Sequence, residues 1–520
     1  MERNNSLTTI RKYLTNCDVN GVVNAIKESY IIVDDIFPII VSQLNNCVKV
    51  DNLQVFQCSE VALKTIAELY DPEDILLLII EDIKSAVDDT AFLTLTFVLL
   101  ILLRRLPKKR LCSLGWGLNA VSYYYSNVTV LDDCLKSDVD RITSLCSALC
   151  SFYKGVVDNL STSYEEKFIT LKFAMQLLGK PLAFLDFASE CAARQVSGEV
   201  VALLFEIDCD IFSLLHLDPL YDIGEIDILA LATLFYLVLA ERIMLEKMPQ
   251  VYSNVYMFQQ SVHLITHLLK YEEFTLLHGL SLLQSVVNRL VGCILSSYLL
   301  DSKYHSEFCK ALTDVIVYNQ DKCIRQRALK LYRRYIFLFD SRGRYLLMYN
   351  LMKILHHSGI IGYTITQCKD MVAETLNKTE LSPYFSGYNL ICLLRQFCFL
   401  QNYEEAHLLD KSEQILAFLN LLRFLAIRDK ENVTGIYNYF KLLHEQFLDP
   451  LKKGVTLSRE LQKVKIQHPS IMDPEVAVTV EGKHLPNLSQ DEKLKSLELS
   501  IVTFDMIDNL LSHLYEIINL

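Results

Sequence analysis

The chain has 520 residues and carries 50 Lys and Arg against 62 Asp and Glu, a net charge of −12, which excludes the basic footprint of a protein whose main partner is DNA or RNA. Hydrophobic residues are 51% and charged residues 22%, enough burial to exclude a disordered chain, while 520 residues are too many for one ordinary core. Only 16 Gly and 11 Pro punctuate it, too few for the turn every 8–12 residues or so that an all-β fold needs, so the expected class is all-α.

In chain order, Met1–Asn5 is polar and no signal-peptide apolar core follows it. Asn45–Asn46, Asp88–Asp89 and Asp132–Asp133 read as polar breaks between helices. Asp71-Pro72-Glu73-Asp74 is a helix start: Asp71 accepts from first-turn amides, Pro72 suits the first helical position, and the acids oppose the dipole. Ala91–Leu103 and Ile228–Ala240 are uncharged runs of 13 residues. A bilayer span needs roughly 18 or more, so both are expected to be buried core helices and no membrane span is expected. Tyr123-Tyr124-Tyr125 and Tyr384-Phe385 read either as filler between helices or as interface anchors. Leu215–Ile226, with Pro219, Gly224 and several acids, is the expected boundary between an N-terminal region, 1–220, and a C-terminal region, 227–520.

Further on, Asp301–Lys303 and Arg428–Asn432 are again short polar breaks. Lys322–Arg344 reverses the local charge with Lys322, Arg325, Arg327, Lys330, Arg333, Arg334, Arg342 and Arg344 against Asp340. It reads either as a solvated helix face or as a basic patch for an acidic partner segment. Ser412-Glu413 opens a helix whose Ile415, Leu419, Leu422 and Leu425 share a face. Lys463–Asp491 holds three Pro and Gly482, and its Val476–Gly482 stretch predicts one small β-hairpin insertion near residues 476–488. From Leu494 to Ile518 apolar residues step by three or four, an amphipathic helix of about seven turns. Two helices per roughly 40–47 residues is the spacing of an irregular HEAT-like helical repeat array, an α-solenoid.

Motifs for chemistry are missing from the sequence. It has no phosphate-binding glycine loop, no GxSxG elbow and no kinase signature, so a non-catalytic protein without cofactor is expected. His263 and His267 share a helix face but lack the further ligands zinc needs, and Asp208-Cys209-Asp210 reads as an acidic turn, so no metal site is expected. The 15 Cys include no CxxC pair, which points to reduced thiols and a cytoplasmic or nuclear setting.

Ile415 through Asn432, Phe447-Leu448-Asp449-Pro450-Leu451 followed by Gly454, Val478–Gly482 with Leu485-Pro486-Asn487, and Thr503–Ile507 resemble blocks of the glomulin family. So do Tyr335-Ile336, Asp340–Tyr345 and His357-Ser358-Gly359. The resemblance, which extends to the plant aberrant lateral root formation protein, is colinear from about Cys323 to the end. Upstream it thins to Asp71-Pro72-Glu73 and Pro181-Leu182. It implies an irregular HEAT-like protein whose C-terminal half binds the RING domain of the cullin–RING ligase RING subunit. That binding would block the ubiquitin-conjugating enzyme and so inhibit ubiquitination. It also implies links to an immunophilin and a receptor tyrosine kinase. The polar residues expected to meet the RING are Lys369, Tyr384, Asn420, Arg423, Asp429, Asn432 and Thr503, each with internal hydrogen bonding between helices as the alternative. The alternative function is a generic HEAT-type adaptor without inhibitory activity.

Overall fold

Side-chain caps set the helix starts. Asn45 accepts from Val48 N, Asp71 from Glu73 N and Asp88 from Ala91 N, each at 2.9 Å. Asp321 accepts from Cys323 N at 2.7 Å and Asp340 from Gly343 N at 2.6 Å. Each cap satisfies an amide that the first helical turn leaves without a partner. The computed structural model describes residues 2–28, 33–106, 111–128, 136–159, 163–188, 191–211, 214, 226–249, 251–377, 381–398, 408–467, 479–480, 483–484 and 490–518.

The chain divides into two compact units, Met1–Arg289 and Leu290–Leu520. The first holds α1 (Glu2–Thr15), α2 (Val19–Glu28), α3 (Val33–Val41), α4 (Asn46–Asp51), α5 (Leu53–Leu69), α6 (Pro72–Lys84) and α7 (Asp89–Arg105). It continues with α8 (Leu111–Ser126), α9 (Lys136–Val157), α10 (Tyr164–Met175), α11 (Ala192–Ile207), α12 (Ile228–Phe235), α13 (Asn254–Leu268) and α14 (Glu273–Arg289). The second holds α15 (Tyr304–Tyr318), α16 (Lys322–Phe337), α17 (Ser341–Ile354), α18 (Ser358–Leu376) and α19 (Gly387–Phe397). It ends with α20 (Ser412–Arg428), α21 (Tyr437–Leu443), α22 (Asp449–Gln467) and α23 (Gln490–Ile518).

The division falls after Arg289, not at the 220–227 break expected from composition. α12 packs on α10, on α13 and on the 3-10 turn Gln176–Leu178. In α14, Thr275 Oγ1 donates to the Ala183 carbonyl at 3.1 Å, 92 residues earlier. Pro219 and Gly224 themselves lie outside the described residues.

Both uncharged runs are core. The Ala91–Leu103 run lies in α7, with Phe92, Leu95, Val98, Leu99 and Leu102 fully buried. The Ile228–Ala240 run forms α12 and the π-helical turn Tyr236–Ala240, with Leu234, Phe235 and Leu237 fully buried. No helix among the described residues is long and apolar enough to cross a membrane. Among the described residues every cysteine is free.

The tyrosine triplet splits. Tyr125 is buried and donates to the Leu177 carbonyl, Tyr124 stacks on Phe92 at 4.0 Å and donates to Asp89, and Tyr123 is exposed. Near the C-terminus, Thr479 pairs antiparallel with His484 and Val480 with Lys483. Two residue pairs are too short a ladder to stand by themselves, and they do not amount to the hairpin insertion expected over 476–488. The other residues of that segment lie outside the described set.

Within the second unit the first helices pack in sequence order, and the last helix folds back onto α20 and α22. α15 lies on α16, α16 on α17, α17 on α18 and α19, α18 on α20, α20 on α23, and α23 on α22. The last helix turns Phe504, Ile507, Leu511 and Leu514 inward, all fully buried.

Candidate partner-binding surface

The surface begins with two helices that come unusually close. α18 buries Ile361, Ile365, Cys368 and Val372, and α20 buries Phe418, Leu421, Leu422 and Leu425. Gly362 lets the backbones meet: a Cβ there would stand 2.8 Å from the Glu413 carbonyl oxygen and 3.1 Å from its carbon. Ser358 Oγ, at the start of α18, accepts from Gln414 N at 3.1 Å.

With the apolar rows turned inward, the remaining residues face outward at helical spacing. Thr366 and Lys369 are three apart on α18, and Asn420, Arg423 and Ile427 follow one edge of α20. With Ala417 and Phe424 they line an open groove of about 440 Å³. Three residues expected from the sequence, Lys369, Asn420 and Arg423, are thus brought together. Thr366, Ala417, Phe424 and Ile427 were not anticipated. The signal for two of them was in the sequence, since Phe424 and Ile427 follow Asn420 and Arg423 at four-residue steps.

Asp429 takes a different role. It is 2% exposed, and its carboxylate accepts from Val433 N at 2.7 Å, from Thr434 N at 2.8 Å and from the Thr434 hydroxyl. Asn432, at φ 54°, accepts through its side chain from Tyr437 N at 3.0 Å. These bonds form the loop after α20, whose Thr434 carbonyl in turn accepts from Gly387 N at 2.9 Å, the first residue of α19. The bonds of both residues stay within this loop and the start of α21, and are not the bonds between helices named as the alternative.

Tyr384 stands in an aromatic cluster away from the groove lining, 5.9 Å from Tyr345, which stacks on Tyr349 at 6.2 Å. Tyr388, one turn further, is 74% exposed. Thr503 lies on α23, its hydroxyl donating to the Leu499 carbonyl at 3.0 Å, and is not part of the groove lining.

The basic segment is largely spent internally. Arg325 donates to the Asn319 and Gln320 carbonyls, each at 2.8 Å. Arg333 pairs with Asp370 at 3.0 Å, and Arg344 with Glu374 at 3.1 Å. Arg342 lies over the Tyr298 ring. Lys322 and Lys330 remain exposed on α16.

The other candidates are structural too. Asp208 accepts from Asp210 N at 2.9 Å, and Asp210 accepts from the Tyr252 hydroxyl at 2.9 Å, as in an inter-helix turn. His267 meets the Tyr271 ring edge-on, and burial holds its pKa below the usual imidazole value. Among the described residues no group of three or more His, Cys, Asp or Glu is placed to hold a metal ion.

Comparison with known proteins bears on the same region. The family described as "Uncharacterised protein family, YAP/Alf4/glomulin" matches residues 228–499, just over half of the chain. Glomulin of Homo sapiens is 28% identical over 418 residues, covering 74% of this chain and 70% of that protein. Glomulin of Mus musculus is 26% identical over 497 residues, covering 88% of this chain and 83% of that protein.

Proposed function

The chain belongs to the YAP/Alf4/glomulin family, and from that premise we propose that it is a non-catalytic binding protein that masks the RING domain of the cullin–RING ligase RING subunit. Masking denies the ubiquitin-conjugating enzyme its docking surface, so ubiquitin transfer stops without any chemistry by this chain. Each unit is read as part of an irregular HEAT-like array, in which successive helices contact their neighbours and one edge of the stack is left for partners. The observation that carries the reading is the convergence of Lys369, Asn420 and Arg423 on one groove between α18 and α20. That groove lies within the segment matching the family and beside the strongest resemblance, Ile415–Asn432. An apolar wall with a few polar groups is the composition expected of an interface core meeting its rim. The free cysteines agree with a reducing cytoplasmic or nuclear setting.

The test is a reconstituted ubiquitination assay with a neddylated cullin–RING ligase, titrated with the full-length chain. Chain formation is expected to stop at near-equal stoichiometry, and added conjugating enzyme is expected to restore it by competition. Undiminished activity in the presence of folded protein would remove the inhibitor assignment and leave the adaptor reading.

A further inference from the structure

We propose that the groove between α18 and α20 is a receptor for a short acidic segment of the partner protein, its carboxylates engaged by Lys369 and Arg423 and its backbone by Asn420. The inference rests on the reading that the second unit carries the docking surface, and it names what that surface takes.

Acids outnumber bases 62 to 50 in this chain, yet the groove lining holds two cations and no acid. On the same two helices, Asp370 and Glu374 are held by Arg333 and Arg344, and Arg428 donates to the Asn377 side chain at 3.2 Å. Among the described residues, Lys369 and Arg423 form no such contact with an acid. Both line the groove, no acid is among its lining residues, and no ion pair to either is formed among the described residues. The nearest acid in sequence, Asp370, is already occupied by Arg333. Two unpaired cations facing one concavity repel each other, and an anion brought between them relieves that repulsion as it binds.

Shape and composition select a peptide over a small ion. The space, about 440 Å³, holds more than one side chain, and Ala417, Phe424 and the 45%-exposed Ile427 supply an apolar wall. An inorganic anion would leave that wall wet, whereas a segment with an acid next to an apolar residue covers both parts. The half-buried stems of Lys369 and Arg423 restrict the two heads before the ligand arrives, which reduces the ordering cost of binding. The Asn420 amide can donate to and accept from an extended backbone.

The probe is a fluorescein-labelled peptide of about ten residues in which Asp and Glu alternate with Leu and Ser, set against its Asn and Gln counterpart, with binding to the full-length chain read by anisotropy. The acidic peptide is expected to bind and its neutral counterpart not. Lys369→Gln and Arg423→Gln, shown folded by circular dichroism, should each weaken it about tenfold. Lys322→Gln and Lys330→Gln on α16 should leave it unchanged. Equal binding of the neutral peptide, or equal loss in the α16 variants, overturns the proposal. Displacement by inorganic phosphate at the same free concentration also overturns it, because the groove is then a simple anion site. In parallel, the same proteins are tested for capture of the purified RING subunit. Undiminished RING capture by Lys369→Gln and Arg423→Gln, without a peptide difference, sinks the groove and spares the proposed function. The expected peptide pattern with no RING capture by the unsubstituted chain sustains the groove and sinks that function.

Discussion

Asp429 holds three hydrogen atoms of its own loop, and the bend at Asn432 depends on them. Replacing it with Ala leaves the buried Thr434 amide and hydroxyl and the half-buried Val433 amide without their acceptor, a loss of roughly 1–3 kcal/mol of stability. Asp429→Ala should therefore show a lowered melting temperature in thermal denaturation, and any loss of partner binding should follow the loss of fold. A native melting curve with lost binding would instead put Asp429 in direct contact with the partner. His305 makes a second residue-level case. Its Nδ1 lies 2.7 Å from the Tyr335 hydroxyl, and burial pushes the imidazole pKa down to about 4. The folded state thus refuses a proton that the unfolded chain accepts near pH 6.5 or so. The stabilisation is complete above about pH 6.5 and is lost as pH falls towards about 4, a change on the order of 3 kcal/mol. Urea denaturation of the full chain at about pH 7 and about pH 4.5 should show that loss, and His305→Gln should shrink it. An identical pH dependence in the variant would show that other groups set it. His278 behaves alike in the first unit, with burial pushing it down to about 3, so part of the acid sensitivity should survive in the variant.

At the scale of elements, the decisive feature is how closely α18 and α20 approach. Gly362→Ala would place a methyl 2.8 Å from a backbone oxygen that cannot swing aside. The helices must separate, at a cost of about 1–3 kcal/mol. Chemical denaturation should register that loss, and the groove lined by Lys369 and Arg423 should bind its partner more weakly. Unchanged stability would mean that the helix spacing is set elsewhere. This approach was not legible in the sequence, where Gly362 is one glycine among 16. What was legible is local. Asp71-Pro72 caps α6 as its spacing requires, and the apolar steps of the last helix face inward at Phe504, Ile507, Leu511 and Leu514. A cap or an amphipathic face involves residues within a turn or two of each other, so periodicity reveals it. The Asp429–Gly435 loop escaped because side chain to backbone bonds and residues with positive φ build it, and no periodicity marks these. For that reason two of the seven expected contact residues, Asp429 and Asn432, are loop builders, while Lys369, Asn420 and Arg423 line one groove.

For the whole molecule, the same distinction between local signal and packing decides where the chain can be cut. Pro219, Gly224 and the acids around them mark a chemical break, and composition alone places the boundary there. Packing places α12–α14 with the first unit instead, because α12 rests on α10 and on the 3-10 turns Gln176–Leu178 and Leu182–Phe184 as well as on α13, and α14 rests on the turn Leu182–Phe184. A fragment starting at Asp227 would keep α13 and α14 over the run from Leu229 to Leu239 but lose the cover that α10 and the two 3-10 turns supply, and so would expose apolar surface that is buried in the full chain. A fragment starting at Leu290 keeps the contacts of the second unit, including the groove between α18 and α20. Two fragments made side by side should therefore differ. Leu290–Leu520 should be monodisperse and unfold in one cooperative transition by circular dichroism, and Asp227–Leu520 should aggregate or bind a hydrophobic dye. The reverse result, a well-behaved longer fragment and an unfolded shorter one, would mean that the second unit needs α12–α14 for its own core. The boundary relevant to function would then return to the composition break near residue 227.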